Sequence, residues 1–259
     1  MKFEKSTIGL ILSGGGTKGI AHAGVLKFLE EVSLRPHHIA GTSSGAIVAS
    51  LYACGKKPDE ILEFFKSIYF FHWRHFTFRK PGFIDSDAFK NYFLSVFGDK
   101  LLGELPFRMH LTATDLVSGK LRIFGPEVKI VDAVLASSAF PGIISPYEID
   151  GKLYSDGGIL NHFPTDILQG RCDTLVGVYV SPIQKIAKED LKSIKSVTTR
   201  AYDLLSANTN MQKFTLCDWV ISPDELALYN TFETNKQKME EIYMIGYEQA
   251  KKSYNELIV

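Results

Sequence analysis

A serine between two glycines is the residue of this chain best suited to act as a nucleophile. Residues 41–45 are Gly-Thr-Ser-Ser-Gly, with a short apolar run before them and an apolar segment rich in small residues after them. This is the G-x-S-x-G pattern, in which a serine lies on a sharp turn from a strand into a helix. Gly41 and Gly45 would let the backbone turn tightly, and the Ser43 hydroxyl would meet the positive potential of a helix N-terminus. A simple helix cap uses the same residues, so the pattern alone leaves both roles open.

A glycine-rich loop precedes this serine. Residues 14–19 are Gly-Gly-Gly-Thr-Lys-Gly, between an apolar run at 8–12 and a segment with helical apolar spacing. The loop matches G-x-G-x-x-G, but a dinucleotide site also needs an acidic residue after the second strand, where this chain has Gly-Thr-Ser. A P-loop is excluded because Ile20 follows Gly19. Consecutive glycines expose backbone N–H groups, which suits an oxyanion hole, and we expect Lys18 to stabilise the loop.

The base that would activate Ser43 is an aspartate or a histidine. Asp156 ends a predicted hairpin strand, and the two glycines after it leave space around its carboxylate. A carboxylate near a serine hydroxyl can act as a general base, although an ordinary Asp-Gly turn has the same sequence. His22 and His162 are the candidates for a Ser-His-Asp triad, but neither has a persuasive spacing, so we expect both to be structural.

Composition narrows the class of protein. The chain has 259 residues, 45% of them hydrophobic and 22% charged, and its formal net charge is zero, so no bulk field attracts nucleic acid. Its three widely spaced cysteines fit neither a disulfide framework nor a metal cluster. The N-terminus lacks the features of a signal peptide, and no apolar run reaches transmembrane length. We therefore predict a cytoplasmic protein.

Two successive strand–loop–helix units predict an α/β fold with a parallel sheet and right-handed crossovers. We expect one domain over 1–259, with a motif-bearing core at about 7–180 and a helical packing segment at about 188–259. Further elements follow the second unit: strands are predicted at 108–114, 120–124, 174–180 and 219–221, a hairpin at 147–154, and helices at 131–137, 188–213 and 235–257.

Aromatic and basic residues are interleaved along the stretch 64–83. Three roles fit this composition. The stretch can cover an acyl pocket as a lid, contact a membrane surface peripherally, or supply aromatic side chains to the core. The sequence leaves the three open.

Taken together, the glycine loop, the G-x-S-x-G turn and the Asp-Gly-Gly motif resemble the signature of the patatin-like phospholipase family. Residues 136–141, Ala-Ser-Ser-Ala-Phe-Pro, resemble the block that the family carries between serine and aspartate. The resemblance covers about 7–180 and implies a three-layer α/β/α sandwich with a mostly parallel sheet. It also implies a Ser43–Asp156 catalytic dyad without histidine and an oxyanion hole at Gly14, Gly15 and Gly16. The supporting motif residues are Lys18, Gly19, Gly41, Gly45, Pro141, Gly157 and Gly158.

The activity that this resemblance implies is lipid acyl hydrolysis, as in a phospholipase A, a lysophospholipase or an esterase. An acyl-enzyme would form on Ser43, and neither calcium nor another cofactor would be needed. Ser13 stands where plant members often carry aspartate. The alternatives are an acyltransferase or thioesterase of related fold, a nucleotide-binding module and a catalytically silent lipid-binding protein. A malonyl-transferase type would need a histidine and an arginine that this chain lacks at convincing positions.

Overall fold

A mostly parallel β-sheet forms the centre of the computed structural model, which describes residues 6–68 and 81–258. In spatial order the strands are β5-β6-β3-β2-β1-β7-β8, and β4 pairs with β3. Their bounds are β1 Ile8–Leu12, β2 His38–Thr42, β3 Arg108–Asp115, β4 Lys120–Ile123, β5 Tyr147–Ile149, β6 Lys152–Asp156, β7 Thr174–Val178 and β8 Trp219–Ile221.

Parallel pairing joins the five strands from β3 to β8, whereas β4, β5 and β6 pair antiparallel. The central strands β1 and β7 are buried along their whole length, which explains why they read as continuous apolar runs rather than alternating ones. The predicted α/β fold with a central, mostly parallel sheet is confirmed.

Helices connect the strands. The α-helices are α1 Ile20–Glu31, α2 Ser44–Ala53, α3 Pro58–Ser67, α4 Lys90–Phe97, α5 Ile130–Ser137, α6 Gly158–Asn161, α7 Ile194–Asn210 and α8 Lys236–Ile258. Short 3-10 helices span Gly16–Gly19, Ser86–Phe89, Leu102–Glu104, Thr165–Ile167, Lys188–Asp190, Met211–Leu216 and Asp224–Leu228. The helix predicted over 188–213 is thus divided. Ser193 Oγ accepts the N–H of Ser196 at 3.0 Å, an N-cap that begins α7 at Ile194.

Core packing covers the sheet on both faces, as the predicted three-layer arrangement requires. Along β1, Leu10 and Leu12 belong to the larger apolar cluster, which α1, α2, α3, α5 and α8 complete. Ile11 points to the opposite face, into a smaller cluster with Phe163 and residues of the short 3-10 helices. This alternation follows from the two-residue period of a strand.

The C-terminal helix α8 packs against α1. The approach is close enough that a Cβ atom on Gly24 would overlap the carbonyl oxygen of Tyr243, and one on Gly246 would overlap that of Ala21. Glycine on each helix therefore lets the two backbones meet. The predicted packing role of the C-terminal helix agrees with this contact.

Candidate active site

Ser43 lies on a sharp turn between β2, which ends at Thr42, and α2, which begins at Ser44. Its backbone has φ +55° and ψ −122°, a region that non-glycine residues rarely adopt. The turn also needs Gly45, where a Cβ atom would overlap the carbonyl oxygen of Leu12. Such strain at a single residue is typical of a functional position, and it presents the Ser43 side chain above the end of the strand.

Strand register brings Asp156 level with Ser43, although Asp156 lies 113 positions later in the chain. Thr42, the last residue of β2, pairs with Thr112 of β3. The next residue, Ala113, pairs with Asp156 at the end of β6, which runs antiparallel to β3. The hairpin β5–β6 therefore returns the chain to the sheet and delivers the carboxylate beside the serine turn.

The last residue of α5 and the loop after it join the two candidate catalytic residues. Ser137 Oγ accepts the backbone N–H of Ser43 at 2.8 Å, and the Ser137 carbonyl accepts the N–H of Gly157 at 3.3 Å. The carbonyl of Ala139 accepts the N–H of Asp156 at 2.9 Å. One short segment, residues 137–139, thus binds the backbones of both the Ser43 turn and the Asp-Gly-Gly turn. Half-buried Pro141 follows in this loop.

The Asp156 carboxyl is fully buried, and its two oxygen atoms differ. Oδ1 accepts the N–H of Gly158 at 2.8 Å and the hydroxyl of Tyr202 at 3.1 Å. Oδ2 has no hydrogen-bond partner among the described residues. Burial raises the pKa of Asp156 to about 6, although the nearby Ser43 hydroxyl, the Gly158 amide and Tyr202 each lower this pKa. The Ser43 hydroxyl is therefore a close neighbour of the Asp156 carboxyl, although it does not form a hydrogen bond with Oδ2.

The glycine loop follows β1, the strand next to β2. The N–H of Gly14 donates to the carbonyl of His162 at 3.0 Å, so this donor is occupied. The amides of Gly15 and Gly16 have no hydrogen-bond partner within the described part of the chain. Gly16 has φ +59°, which glycine adopts without strain. Of the three amides predicted to form an oxyanion hole, those of Gly15 and Gly16 are the available donors.

Neither histidine candidate is arranged as a base for Ser43. His22 Nε2 lies 2.8 Å from the carbonyl oxygen of Ser13, and burial lowers the pKa of His22 to about 4. His162 packs beside Gly14, and burial lowers its pKa to about 3. Neither ring nitrogen of His162 has a hydrogen-bond partner among the described residues. These environments agree with the structural roles expected for both side chains.

Lys18 and Gly19 occupy the far side of the glycine loop. Lys18 is 6% exposed, and burial lowers the pKa of its ammonium group, with Asp203 and Arg200 as its charged neighbours. All three line a polar groove of about 1400 Å³, part of it open to solvent. At Gly19, a Cβ atom would overlap the hydroxyl of Ser44. Gly19 therefore permits the loop to pack closely on the start of α2.

An apolar cavity opens beside Ser43. It contains about 650 Å³ of space not filled by atoms, part of it open to solvent. Ser43 and Gly16 both line it, and most of the other lining side chains are aliphatic or aromatic. The lining residues are Gly16, Thr17, Ser43, Ser44, Ile47, Phe65, Ile68, Ser86, Phe89, Phe93, Leu135, Ser138, Phe140, Ile144 and Phe232. A cavity of this chemistry suits a hydrocarbon chain whose reacting end lies at the serine.

The aromatic stretch 64–83 is described in part, because 69–80 lie outside the described residues. Phe65 is buried and lines the apolar cavity, and Phe64 packs against neighbouring aromatic rings. Phe83 is 61% exposed. The beginning of the stretch therefore contributes to the core and the cavity wall, and a lid or membrane contact by the remainder stays a prediction.

Two contacts of the site were missed from the sequence. The hydroxyl of Ser137 lies inside the block at 136–141, but nothing in its spacing indicates a bond to the Ser43 amide. Tyr202 comes from α7, 46 residues after Asp156, and no motif marks it. Both contacts depend on tertiary packing rather than on a local pattern.

The described residues contain neither a metal-binding cluster nor a membrane-spanning helix. Within 6–68 and 81–258, no group of three or more His, Cys, Asp or Glu side chains is arranged to hold a metal ion. Cys54, Cys172 and Cys217 are free thiols. Among the described helices, none combines the length and the apolar character needed to cross a bilayer.

Comparison with known proteins gives one family. A family model described as patatin-like phospholipase matches residues 10–168, which include the glycine loop, Ser43 and Asp156. An uncharacterized NTE family protein of Mycobacterium tuberculosis is 33% identical over 168 residues, covering 63% of this chain and 46% of that protein. Patatin-like phospholipase domain-containing protein 6 of Mus musculus is 31% identical over 171 residues, covering 62% of this chain and 12% of that protein. The chain thus spans less than half the length of these curated relatives.

Solved structures share the fold at low sequence identity. The crystal structure of VipD from Legionella pneumophila has a TM-score of 0.64 and 17% identity, covering 96% of this chain and 67% of VipD. The type III effector protein ExoU has a TM-score of 0.51 and 14% identity, covering 97% of this chain and 53% of ExoU. At these identities the similarity concerns the fold alone.

Proposed function

This chain belongs to the patatin-like phospholipase family, and we propose that it is a serine lipid acyl hydrolase that cleaves carboxylic esters through Ser43 and Asp156. One observation carries the proposal: the buried Oδ2 atom of Asp156 has no partner among the described residues, beside a serine on a strained turn. Family membership supports lipid hydrolysis in general, and this arrangement supports the two residues as the reacting pair.

The proposed reaction begins with proton transfer. Asp156 Oδ2 accepts the proton of the Ser43 hydroxyl while Oγ bonds to the ester carbonyl carbon. The amides of Gly15 and Gly16 stabilise the resulting oxyanion. When the tetrahedral intermediate collapses, the carbon–oxygen bond to the alcohol breaks, and the alcohol leaves with the proton from Asp156. Water then attacks the acyl-enzyme with Asp156 again as the base, which releases the carboxylic acid and restores Ser43.

The apolar cavity is proposed to hold the acyl chain. Ser43 and Gly16 both line the cavity, so the carbonyl of an ester whose acyl chain fills it would meet the nucleophile and the free Gly16 amide. Burying a hydrocarbon chain there contributes about 0.8 kcal/mol per CH₂ group. The proposed substrate class is therefore an ester with a long acyl chain, such as a phospholipid or lysophospholipid.

The test is ester hydrolysis by purified protein and two variants. Wild type, Ser43→Ala and Asp156→Asn are assayed on p-nitrophenyl esters of graded chain length, and a fluorophosphonate probe is used to label the nucleophile. We expect both variants to lose nearly all turnover and the probe to label Ser43. His22→Ala and His162→Gln serve as controls for a histidine base.

Full activity of Asp156→Asn would overturn the dyad, and labelling at a residue other than Ser43 would overturn the nucleophile. Product analysis also separates hydrolysis from the alternative transferase reaction. Acyl transfer to an added alcohol or thiol that outcompetes water would assign the chain to the acyltransferase type. Hydrolysis of acyl thioesters in preference to oxygen esters would assign it to the thioesterase type.

A further inference from the structure

Tyr202 reaches the candidate base from α7, a helix outside the motif-bearing part of the chain. Its hydroxyl donates to Asp156 Oδ1 at 3.1 Å. Gly158 makes room for this contact, because a Cβ atom there would overlap the Tyr202 hydroxyl. The second glycine of the Asp-Gly-Gly motif is therefore needed so that a side chain of another helix can reach Asp156.

The two donors to Asp156 act on the same oxygen. The Gly158 amide and the Tyr202 hydroxyl both reach Oδ1, at 2.8 Å and 3.1 Å. A carboxylate held at one oxygen by two donors in different directions loses its freedom to rotate about χ2. The other oxygen, Oδ2, is then left in a fixed direction with no partner among the described residues.

Tyr202 can only donate in this contact, because an ionised carboxylate only accepts. Burial raises the pKa of the Tyr202 hydroxyl well above its ordinary value, and the neighbouring Asp156 adds to that rise. The hydroxyl therefore keeps its proton throughout the range in which the enzyme would work. Donation stabilises the charged carboxylate and opposes the effect of burial on the pKa of Asp156.

Other titratable groups near this contact come from several elements. Asp203 on α7 raises the pKa of the Tyr202 hydroxyl. Burial also raises the pKa of Asp203 itself, while Lys18 of the glycine loop and Arg200 oppose that rise. His162, one turn after Gly158, has a pKa lowered to about 3 and is neutral near pH 6.

We propose that Tyr202 is a positioning residue that holds Asp156 Oδ1, so that Oδ2 is the atom that receives the proton of Ser43. The inference rests on the proposed Ser43–Asp156 dyad and adds to it the residue that selects the reacting oxygen. Tyr202 does not touch the reacting atoms, and its effect passes through the orientation and the basicity of the carboxylate.

A packing role is the competing explanation, because the Tyr202 ring lies 4.5 Å from that of Phe140, centroid to centroid. Tyr202→Phe separates the two explanations, since it keeps the ring and removes only the hydroxyl. The matched control is Tyr147→Phe. Tyr147 is a buried tyrosine whose hydroxyl likewise donates to a carboxylate, that of Asp132 at 2.7 Å, at a position given no role in the reaction.

The experiment measures kcat and KM of the purified full chain on p-nitrophenyl butyrate across the acid limb of its pH profile. For Tyr202→Phe we expect the acid limb to move to higher pH by about one unit, because the loss of one donor to the carboxylate raises the pKa of Asp156. We expect kcat at the plateau to fall about tenfold with KM nearly unchanged. Tyr147→Phe should keep the acid limb and kcat of the wild type.

An unmoved acid limb and an unchanged kcat in Tyr202→Phe would overturn the inference, provided that Asp156→Asn is inactive. A fall in kcat that accompanies a lower melting temperature, with the acid limb unmoved, would assign Tyr202 to packing and also overturn it. Full activity of Asp156→Asn would instead overturn the proposed dyad, so the two failures are distinguishable.

Discussion

The hydroxyl of Ser137 accepts the backbone N–H of Ser43 at 2.8 Å. This bond stabilises the peptide group at the start of the strained turn, where the N–H is buried and no strand or helix can satisfy it. Ser137 ends α5, and the loop after it also binds the Asp156 strand. The candidate nucleophile and the candidate base are therefore held by the same short segment of the chain.

Removing the Ser137 hydroxyl should weaken both stability and turnover. Ser137→Ala leaves a buried backbone donor without a partner, which costs about 1–3 kcal/mol of unfolding free energy. We expect kcat to fall at least about tenfold because the turn loses its anchor. Denaturant unfolding and ester hydrolysis measure the two effects. Ser138→Ala is the matched control for stability, since the buried Ser138 hydroxyl has no partner among the described residues. An equal loss of stability in both variants would contradict the proposed anchoring.

Backbone strain at Ser43 should be measurable as stability. Because φ is +55°, glycine fits this position without steric cost, whereas alanine does not. We expect Ser43→Gly to be more stable than Ser43→Ala by about 1 kcal/mol, although both variants lack the hydroxyl and both should be inactive. Denaturant midpoints of the two variants give the comparison. Equal or reversed stabilities would show that the turn is not strained.

The raised pKa of Asp156 predicts a defined pH dependence. Its folded-state pKa is about 6, above the ordinary 3.8, so the folded chain binds this proton more tightly than the unfolded chain. The protonated Asp156 carboxyl therefore makes its whole contribution to stability at pH values below the ordinary pKa of 3.8. This contribution is lost as pH rises through about 6. The unfolding free energy of Asp156→Asn, measured relative to that of the wild type, should rise by about 3 kcal/mol between about pH 4 and pH 7. Activity should rise over the same pH range, because the ionised carboxylate is the proposed general base.

Asp173→Asn is the control for this pH dependence. Hydrogen bonds from Thr7 lower the pKa of the exposed Asp173 carboxyl, so its stabilising effect is lost as pH falls. The stability difference from wild type should then change in the opposite direction for Asp173→Asn. Unfolding curves at several pH values provide the measurement. A stability difference between Asp156→Asn and wild type that does not change with pH would contradict the raised pKa of Asp156.

The apolar cavity predicts a chain-length preference that can be shifted. Ile47 lies one turn after Ser43 on α2, is 5% exposed and lines the cavity. Ile47→Phe should fill space that we propose for the acyl chain, so kcat/KM on dodecanoyl esters should fall about tenfold or more relative to acetyl esters. Val117→Phe is the control, since Val117 is 82% exposed and outside the cavity. An unchanged ratio of rates in Ile47→Phe would show that the acyl chain binds elsewhere.

Local patterns were sufficient for most of the fold. The apolar runs at 8–12 and 174–178 are continuous because both faces of a central parallel strand are buried, and that signal is visible in the sequence. The break before α7 was not visible, because it depends on how Ser193 and Ser196 cap a helix inside a polar segment. Side-chain capping of this kind competes with continued helix and is decided by local geometry.

The sequence by itself determined the candidate nucleophile, the glycine loop and the candidate base, because each lies in a motif whose glycines and spacing follow from backbone geometry. Only the tertiary structure decided how these motifs meet. The register of β2, β3 and β6 brings Asp156 level with Ser43. Packing of α7 brings Tyr202 to Asp156 Oδ1, and the His162 carbonyl occupies the Gly14 amide. The physical reason is that contacts between residues far apart in the chain depend on register and packing, which no local spacing encodes.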